Sequence, residues 1–138
     1  MRNASSALVL LLSGLLLVLL TPWGAARADQ PYRWTPLGFC SLSGMSSATL
    51  ASSCMFTNTL NGVAATWATA GANATYAQIC AYTQGVNYRD DGVAPTATTG
   101  TGGQSILAGG CVQYYSTMSA LQFIQLSPGA VLGISFYR

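Results

Sequence analysis

The 138-residue chain has five arginines and three aspartates as its only charged side chains, and it contains no histidine, lysine or glutamate. Without histidine, no imidazole can activate a serine or cysteine nucleophile or bind a metal, and without lysine no Schiff base can form. No cluster of basic residues is present to contact a phosphate backbone, so nucleic-acid binding is disfavoured. The composition predicts a protein that is not an enzyme and uses no metal or cofactor.

The first 28 residues have the pattern of a cleavable export signal. One positive charge at Arg2 precedes an apolar run from Ala7 to Leu20. This run is shorter than the roughly 20 residues that a membrane-spanning helix requires. The small residues of Ala26-Arg27-Ala28 then form a signal peptidase site. We therefore predict a signal peptide over 1–28, a single domain over 29–138, and export to the periplasm or the extracellular space.

Cleavage at this site changes the charge of the protein. Arg2 and Arg27 leave with the signal, so three arginines and three aspartates remain and the net side-chain charge is zero. A net charge near zero favours association. We predict a homo-oligomer or a partner on a particle or surface, and membrane contact only through the signal before cleavage.

Four cysteines lie in the predicted mature domain, at Cys40, Cys54, Cys80 and Cys111. An even number in an exported chain predicts two disulfides, for which three pairings exist. We favour Cys40–Cys54, which closes a short loop, and Cys80–Cys111, which would link two predicted strands. The spacing contains no Cys-x-x-Cys, so it supports neither a redox motif nor a zinc site.

Alternating apolar residues and turn signals predict an all-β domain. We expect a loop or an irregular strand over 43–61, with a short helix over Ser46–Ser52 as the alternative. The predicted strands beyond it are Ala64–Ala68, Tyr76–Tyr82, Val86–Arg89, Ser105–Leu107, Cys111–Tyr115, Ala120–Gln125 and Val131–Tyr137. Short strands separated by regular turns are typical of an antiparallel β-sandwich or a jelly-roll-like domain. We expect Tyr76–Tyr82 and Val131–Tyr137 to form its core.

The turn after Val86–Arg89 has a distinctive sequence, Arg89-Asp90-Asp91-Gly92-Val93-Ala94-Pro95-Thr96-Ala97. It resembles a motif of small, mostly uncharacterised β-sandwich proteins of tailed bacteriophages and prophages. Leu107-Ala108-Gly109, Leu121–Ile124 and Val131–Tyr137 extend the resemblance, which covers roughly residues 36–138. It implies a β-sandwich that builds or decorates virion surfaces and brings no catalytic residues. This chain differs by its export signal and its cysteines.

Two groups of residues are candidates for binding. The first is the turn Arg89, Asp90 and Asp91, whose side chains either contact a ligand or tie the turn internally. The second is a set of tyrosines that would form an aromatic face for sugar, or else pack across strands. Its members are Tyr76, Tyr82, Tyr88, Tyr114 and Tyr115, among which Tyr82 and Tyr88 are predicted to bind.

The sequence therefore predicts an exported, non-enzymatic structural or interaction domain, related to phage surface modules. The alternative is a secreted carbohydrate-binding module. Adjacent residues of an extended chain point to opposite sides, so Asp90 and Asp91 are poorly placed to act as an acid/base pair on a sugar.

Overall fold

The computed structural model describes residues 34–60 and 62–138. The predicted signal over 1–28 and the first residues of the predicted domain lie outside the described residues. Among those described, no helix is long and apolar enough to cross a membrane.

Eleven strands and three short 3-10 turns make up the regular structure of the described residues. The 3-10 turns are Ala51–Ser53, Gly71–Asn73 and Met118–Ala120. The strands are β1 Pro36–Ser43, β2 Thr49–Leu50, β3 Met55–Phe56, β4 Thr59–Leu60, β5 Val63–Ala64, β6 Tyr76–Ala81, β7 Val86–Arg89, β8 Gln104–Ile106, β9 Cys111–Tyr114, β10 Gln122–Gln125 and β11 Val131–Tyr137.

A five-stranded antiparallel sheet, in the order β3-β1-β11-β6-β9, forms one layer. Its centre is β11, in which Leu132, Ile134 and Phe136 are fully buried while the alternate side chains face away from the core. β11 pairs with β6 from Leu132↔Ala81 to Tyr137↔Tyr76. The prediction that these two strands form the core is confirmed. Their side chains alternate strictly, and this alternation determines which face of each strand is buried.

A four-stranded sheet, in the order β2-β10-β7-β8, forms the second layer. The strands β4 and β5 form a separate two-stranded hairpin. Phe123 of β10 and Val86 of β7 are fully buried and belong to the same apolar cluster as Phe136 and Ile79 of the first sheet. Two antiparallel sheets that share one apolar core are a β-sandwich, as predicted.

Both predicted disulfides are present. Cys40–Cys54 joins β1 to the segment before β3 and is buried, whereas Cys80–Cys111 joins directly opposed residues of β6 and β9. In general such a bridge stabilises a small domain by roughly 2–4 kcal/mol. Two bridges suit a non-reducing, exported environment.

The strand predicted over Ala64–Ala68 is wrong. β5 ends at Ala64, and the chain then turns. The hydroxyl groups of Thr66 and Thr69 lie 3.1 Å apart, and each accepts a hydrogen bond from the other residue's backbone N–H. These local bonds satisfy backbone groups that a strand would otherwise pair. Trp67 instead turns inward, with its ring centroid 5.9 Å from that of Phe136.

Smaller differences concern where elements begin and end. The alternative helix over Ser46–Ser52 is not formed, since only Ala51–Ser53 makes a 3-10 turn there. The strand predicted from Ala120 begins at Gln122, after a second 3-10 turn. The strand predicted over Ser105–Leu107 is shifted back by one residue.

Candidate functional site

A cleft of about 290 Å³ opens where β7 ends. One wall is the turn predicted from the sequence, and the other is the glycine-rich segment before β8. The lining residues are Tyr88, Arg89, Asp90, Asp91, Gly100, Thr101, Gly103 and Gln104. Four of the five predicted binding residues therefore meet in one place, and Tyr82 is not among them.

Arg89 and Asp91 form a two-pronged ion pair within the turn. Nε of Arg89 donates to Oδ1 of Asp91 at 3.0 Å, and Nη2 donates to Oδ2. The backbone N–H of Val93 also donates to Oδ1, at 3.1 Å. The bonds from Arg89, followed by that from Val93, lower the pKa of Asp91 to about 2. This geometry matches the interpretation in which the motif ties its own turn.

Asp90 faces a different partner. Its Oδ2 accepts a hydrogen bond of 3.0 Å from the hydroxyl of Tyr114, a residue of the five-stranded sheet. Burial raises the pKa of Tyr114, and the hydrogen bond to Asp90 raises it further. Asp90 thus connects the end of β7 to the opposite layer. The two neighbouring carboxylates have separate partners, as expected for residues that point to opposite sides.

Tyr88 forms the inner end of the cleft. Its ring is buried in the core beside Phe123, and its hydroxyl donates to Oε1 of Gln104 at 2.5 Å. Burial raises the pKa of Tyr88, and the charge of Asp90 adds to the shift. This tyrosine is neutral at physiological pH and is held by the core, so only its polar tip faces the cleft.

Asn87 holds the second wall of the cleft, and it is not among the residues predicted from the sequence. Its side chain is fully buried; Nδ2 donates to the carbonyls of Thr96 (2.8 Å) and Thr98 (3.0 Å). Its Oδ1 accepts from the hydroxyl of Ser105 at 2.6 Å. The segment packs so closely that a Cβ on Gly102 would lie 2.7 Å from this Nδ2. The sequence signal that could have indicated this role is an asparagine in a predicted strand that is followed by a Thr- and Gly-rich loop.

The fifth predicted residue, Tyr82, lies on the other sheet. There, alternation and register place a set of side chains on the side of the five-stranded sheet that faces away from the core. We call this the outer face; it comprises Phe39, Ser41, Ser43, Met55, Tyr76, Gln78, Cys80, Tyr82, Cys111, Gln113, Tyr115, Val131, Gly133, Ser135 and Tyr137. None of these residues is an arginine or an aspartate.

The predicted set of five tyrosines is divided by the fold, which corrects the idea of one aromatic face. Tyr88 and Tyr114 point into the core, whereas Tyr76, Tyr82 and Tyr115 belong to the outer face. Successive side chains of a strand point to opposite faces, so the position of each tyrosine in its strand decides which face the tyrosine joins.

An aromatic cluster occupies one end of the outer face. The ring of Tyr76 is the base of the cluster and is only 8% exposed. Its centroid lies 4.9 Å from that of Tyr115, 5.2 Å from Tyr137 and 4.8 Å from Trp34. Burial, and then the neighbouring Tyr115 and Tyr137, raise the pKa of Tyr76. Tyr115 remains 59% exposed on top of this base.

A shallow groove of about 280 Å³ adjoins the cluster. Its lining consists of Ala74, Thr75, Tyr115, Ser116 and Thr117. Four of these side chains carry hydroxyl groups, and one of the four, Tyr115, also presents the exposed aromatic ring. The groove therefore combines an apolar surface with neutral hydrogen-bonding groups.

Neither a metal centre nor a known relative identifies a site. Within residues 34–60 and 62–138, no group of three or more metal-ligating side chains is close enough together to hold an ion. All four cysteines are in disulfides. In comparisons with known proteins, no family model, no curated protein and no solved structure matches the chain.

Proposed function

We propose that this chain is an exported interaction domain without enzymatic activity, and that it binds its partner through the outer face of the five-stranded sheet. The observation that carries the proposal is the combination of exposed aromatic side chains and no charged residue on that face. Met55 (67% exposed), Tyr82 (55%) and Tyr115 all lie there. The four other exposed large hydrophobic side chains of the described residues are scattered over other parts of the fold. Several exposed apolar groups on one face are typical of interaction surfaces.

The three charged side chains at the end of β7 favour the same proposal. Arg89 and Asp91 neutralise each other, and Asp90 accepts from Tyr114. Groups already engaged with neighbours are less available as an acid, a base or a nucleophile activator. The cleft at the end of β7 is then a structural joint between the two layers.

The predicted export signal and the two disulfides support a location in the periplasm or the extracellular space. The resemblance of the Arg89–Ala97 turn to phage β-sandwich proteins favours a module of surfaces or particles. The neutral predicted mature chain favours partners bound by contact area and hydrogen bonds rather than by charge.

The test compares an outer-face variant with a matched control. The double variant Met55→Ser, Tyr82→Ser removes two exposed apolar groups from the outer face, and Val93→Ser removes a comparably exposed one from the turn beyond β7. Self-association is measured by size-exclusion chromatography with light scattering. Retention of partners or particles from the producing cells is measured by pull-down.

We expect association or retention in the wild type and in Val93→Ser, and its loss in the double variant. A wild-type protein that is strictly monomeric and retains nothing would contradict the proposal. Association that persists unchanged in the double variant would remove the outer face as the binding surface.

A further inference from the structure

We infer that the partner of the outer face is an extended chain of uncharged sugars, with Tyr115 and Tyr82 as two separate stacking positions. This inference rests on the proposed function and adds the chemical class of the ligand.

Tyr115 has the properties of a preformed stacking surface. Its ring is stacked on Tyr76, with an interplanar angle of 29°, and its hydroxyl donates to Oε1 of Gln113 at 2.7 Å. These contacts hold the ring while one side remains exposed. A pyranose presents an apolar C–H face that packs on the electron-rich face of an aromatic ring. A ring that is already ordered loses little conformational freedom on binding.

The groove beside Tyr115 supplies groups that match sugar hydroxyls. The hydroxyls of Thr75 and Thr117 can each act as donor and acceptor, as do the hydroxyls of a sugar, whereas that of Ser116 is already hydrogen-bonded to Tyr114. Sites for small ligands typically combine an apolar surface with a few polar groups that fix orientation. An aromatic ring beside a hydroxyl-lined groove fits one sugar unit.

Tyr82 provides the second position. It lies on the same face of the sheet as Tyr76, with its ring level with Cys80, the partner of Gly133, four residues or about 13 Å of strand from Tyr76. Its ring lies across Gly133, where a Cβ would collide with it. Glycine at position 133 therefore leaves room for the hydroxyl end of the ring, while the side chain stays 55% exposed. Two stacking positions this far apart require a ligand of several units.

Polar, uncharged side chains occupy the space between the two rings. Gln78 and Gln113 are paired across β6 and β9, and Ser135 is paired with Gln78 across β11. Amides and a hydroxyl suit the hydroxyls of a sugar chain, whereas a second copy of this face would need a more apolar centre. The absence of arginine and aspartate from the outer face removes the counter-charge that an acidic or basic polymer would need.

The experiment titrates the protein with cello-, xylo-, manno- and chito-oligosaccharides, each as a disaccharide and as a hexasaccharide, by calorimetry. We expect at least one series to bind, and the hexasaccharide to bind more tightly than the disaccharide. Tyr115→Ala should weaken binding of both lengths by about tenfold or more. Tyr82→Ala should weaken only the hexasaccharide.

Two variants serve as controls. Tyr115→Phe keeps the ring but loses the hydroxyl bonded to Gln113, and it should retain most of the affinity. Val93→Ala lies in the turn beyond β7 and should bind as the wild type does. Circular dichroism of each variant establishes that the fold is retained.

The inference is overturned if none of the four series binds, or if Tyr115→Ala binds as tightly as Tyr115→Phe. If no sugar binds but the double variant Met55→Ser, Tyr82→Ser still abolishes association or partner retention, only the inference about sugars is contradicted. If neither sugars nor partners bind, the proposed function falls with it.

Discussion

Asn87 joins β7 to the segment that forms the second wall of the cleft, and its own side chain is fully buried. Asn87→Leu preserves the branched outline of the side chain but leaves two carbonyls and the Ser105 hydroxyl without this partner. We expect the free energy of unfolding to fall by about 2–4 kcal/mol. Urea denaturation monitored by tryptophan fluorescence measures the change.

Asn73 is the matched control for that experiment. It is exposed, and its Nδ2 donates to the carbonyl of Ala68. Asn73→Leu should lower the free energy of unfolding by less than about 1 kcal/mol, because water can replace the lost partner. Equal losses in the two variants would contradict the anchoring role of Asn87.

Asp91 makes stability depend on pH in the acid range. Its pKa is lowered from 3.8 to about 2 in the folded protein, chiefly by Arg89. The contribution to stability is therefore fully present above the unfolded pKa and is lost as the pH falls through the folded one. Between about pH 4 and pH 2, the urea midpoint of the wild type should fall more steeply than that of Asp91→Asn. Parallel curves would show that the ion pair contributes no acid-range stability.

The site residues were partly predictable from sequence. Arg89, Asp90 and Asp91 are contiguous and charged in a nearly uncharged chain, so they stood out. Tyr137 joins the aromatic cluster because β11 pairs with β6 in one register. Trp34 joins it because the neighbouring Thr35 is hydrogen-bonded to Arg138, directly after β11. Register depends on contacts distant in sequence, and local pattern does not report it.

At the level of elements, the two disulfides differ in their access to solvent. Cys111 is exposed on the outer face, while Cys40 and Cys54 lie in the core. Under mild dithiothreitol, without denaturant, the Cys80–Cys111 bridge should open first, because exchange requires access of the attacking thiolate to sulfur. Alkylation at successive times and peptide mass mapping measure the order. Simultaneous opening of both bridges would contradict this difference in access.

Strands with strict alternation were predicted well, and segments with local side-chain bonding were not. Val131–Tyr137 has the predicted bounds, because one of its faces is wholly apolar. The alanines of Ala64–Ala68 are compatible with a strand or with a turn. The hydrogen bonds between Thr66 and Thr69 stabilise the turn. Hydroxyl groups that bond to nearby backbone compete with strand pairing in a way that hydrophobic periodicity does not detect.

At the level of the whole molecule, export and disulfide formation should both lower the mass of the protein. Protein recovered from outside the producing cell should lack residues 1–28, and its mass should be about 4 Da below that of the reduced form, since each bridge removes two hydrogens. Intact-mass spectrometry before and after reduction measures both. A full-length chain, or a mass unchanged by reduction, would contradict the prediction.

The position of the Cys80–Cys111 bridge also has a mechanical consequence. β9 is an edge strand, held on one side by β6, and Tyr115 follows its last residue. A load pulling on Tyr115 would peel an unlinked edge strand away one hydrogen bond at a time. With the bridge closed, peeling that starts at Tyr115 stops at Cys111, where a covalent bond passes the tension into β6, which lies between β9 and the central β11. A domain tethered at Tyr115 would thus keep its edge strand attached to the sheet even after the hydrogen bonds of that strand have opened.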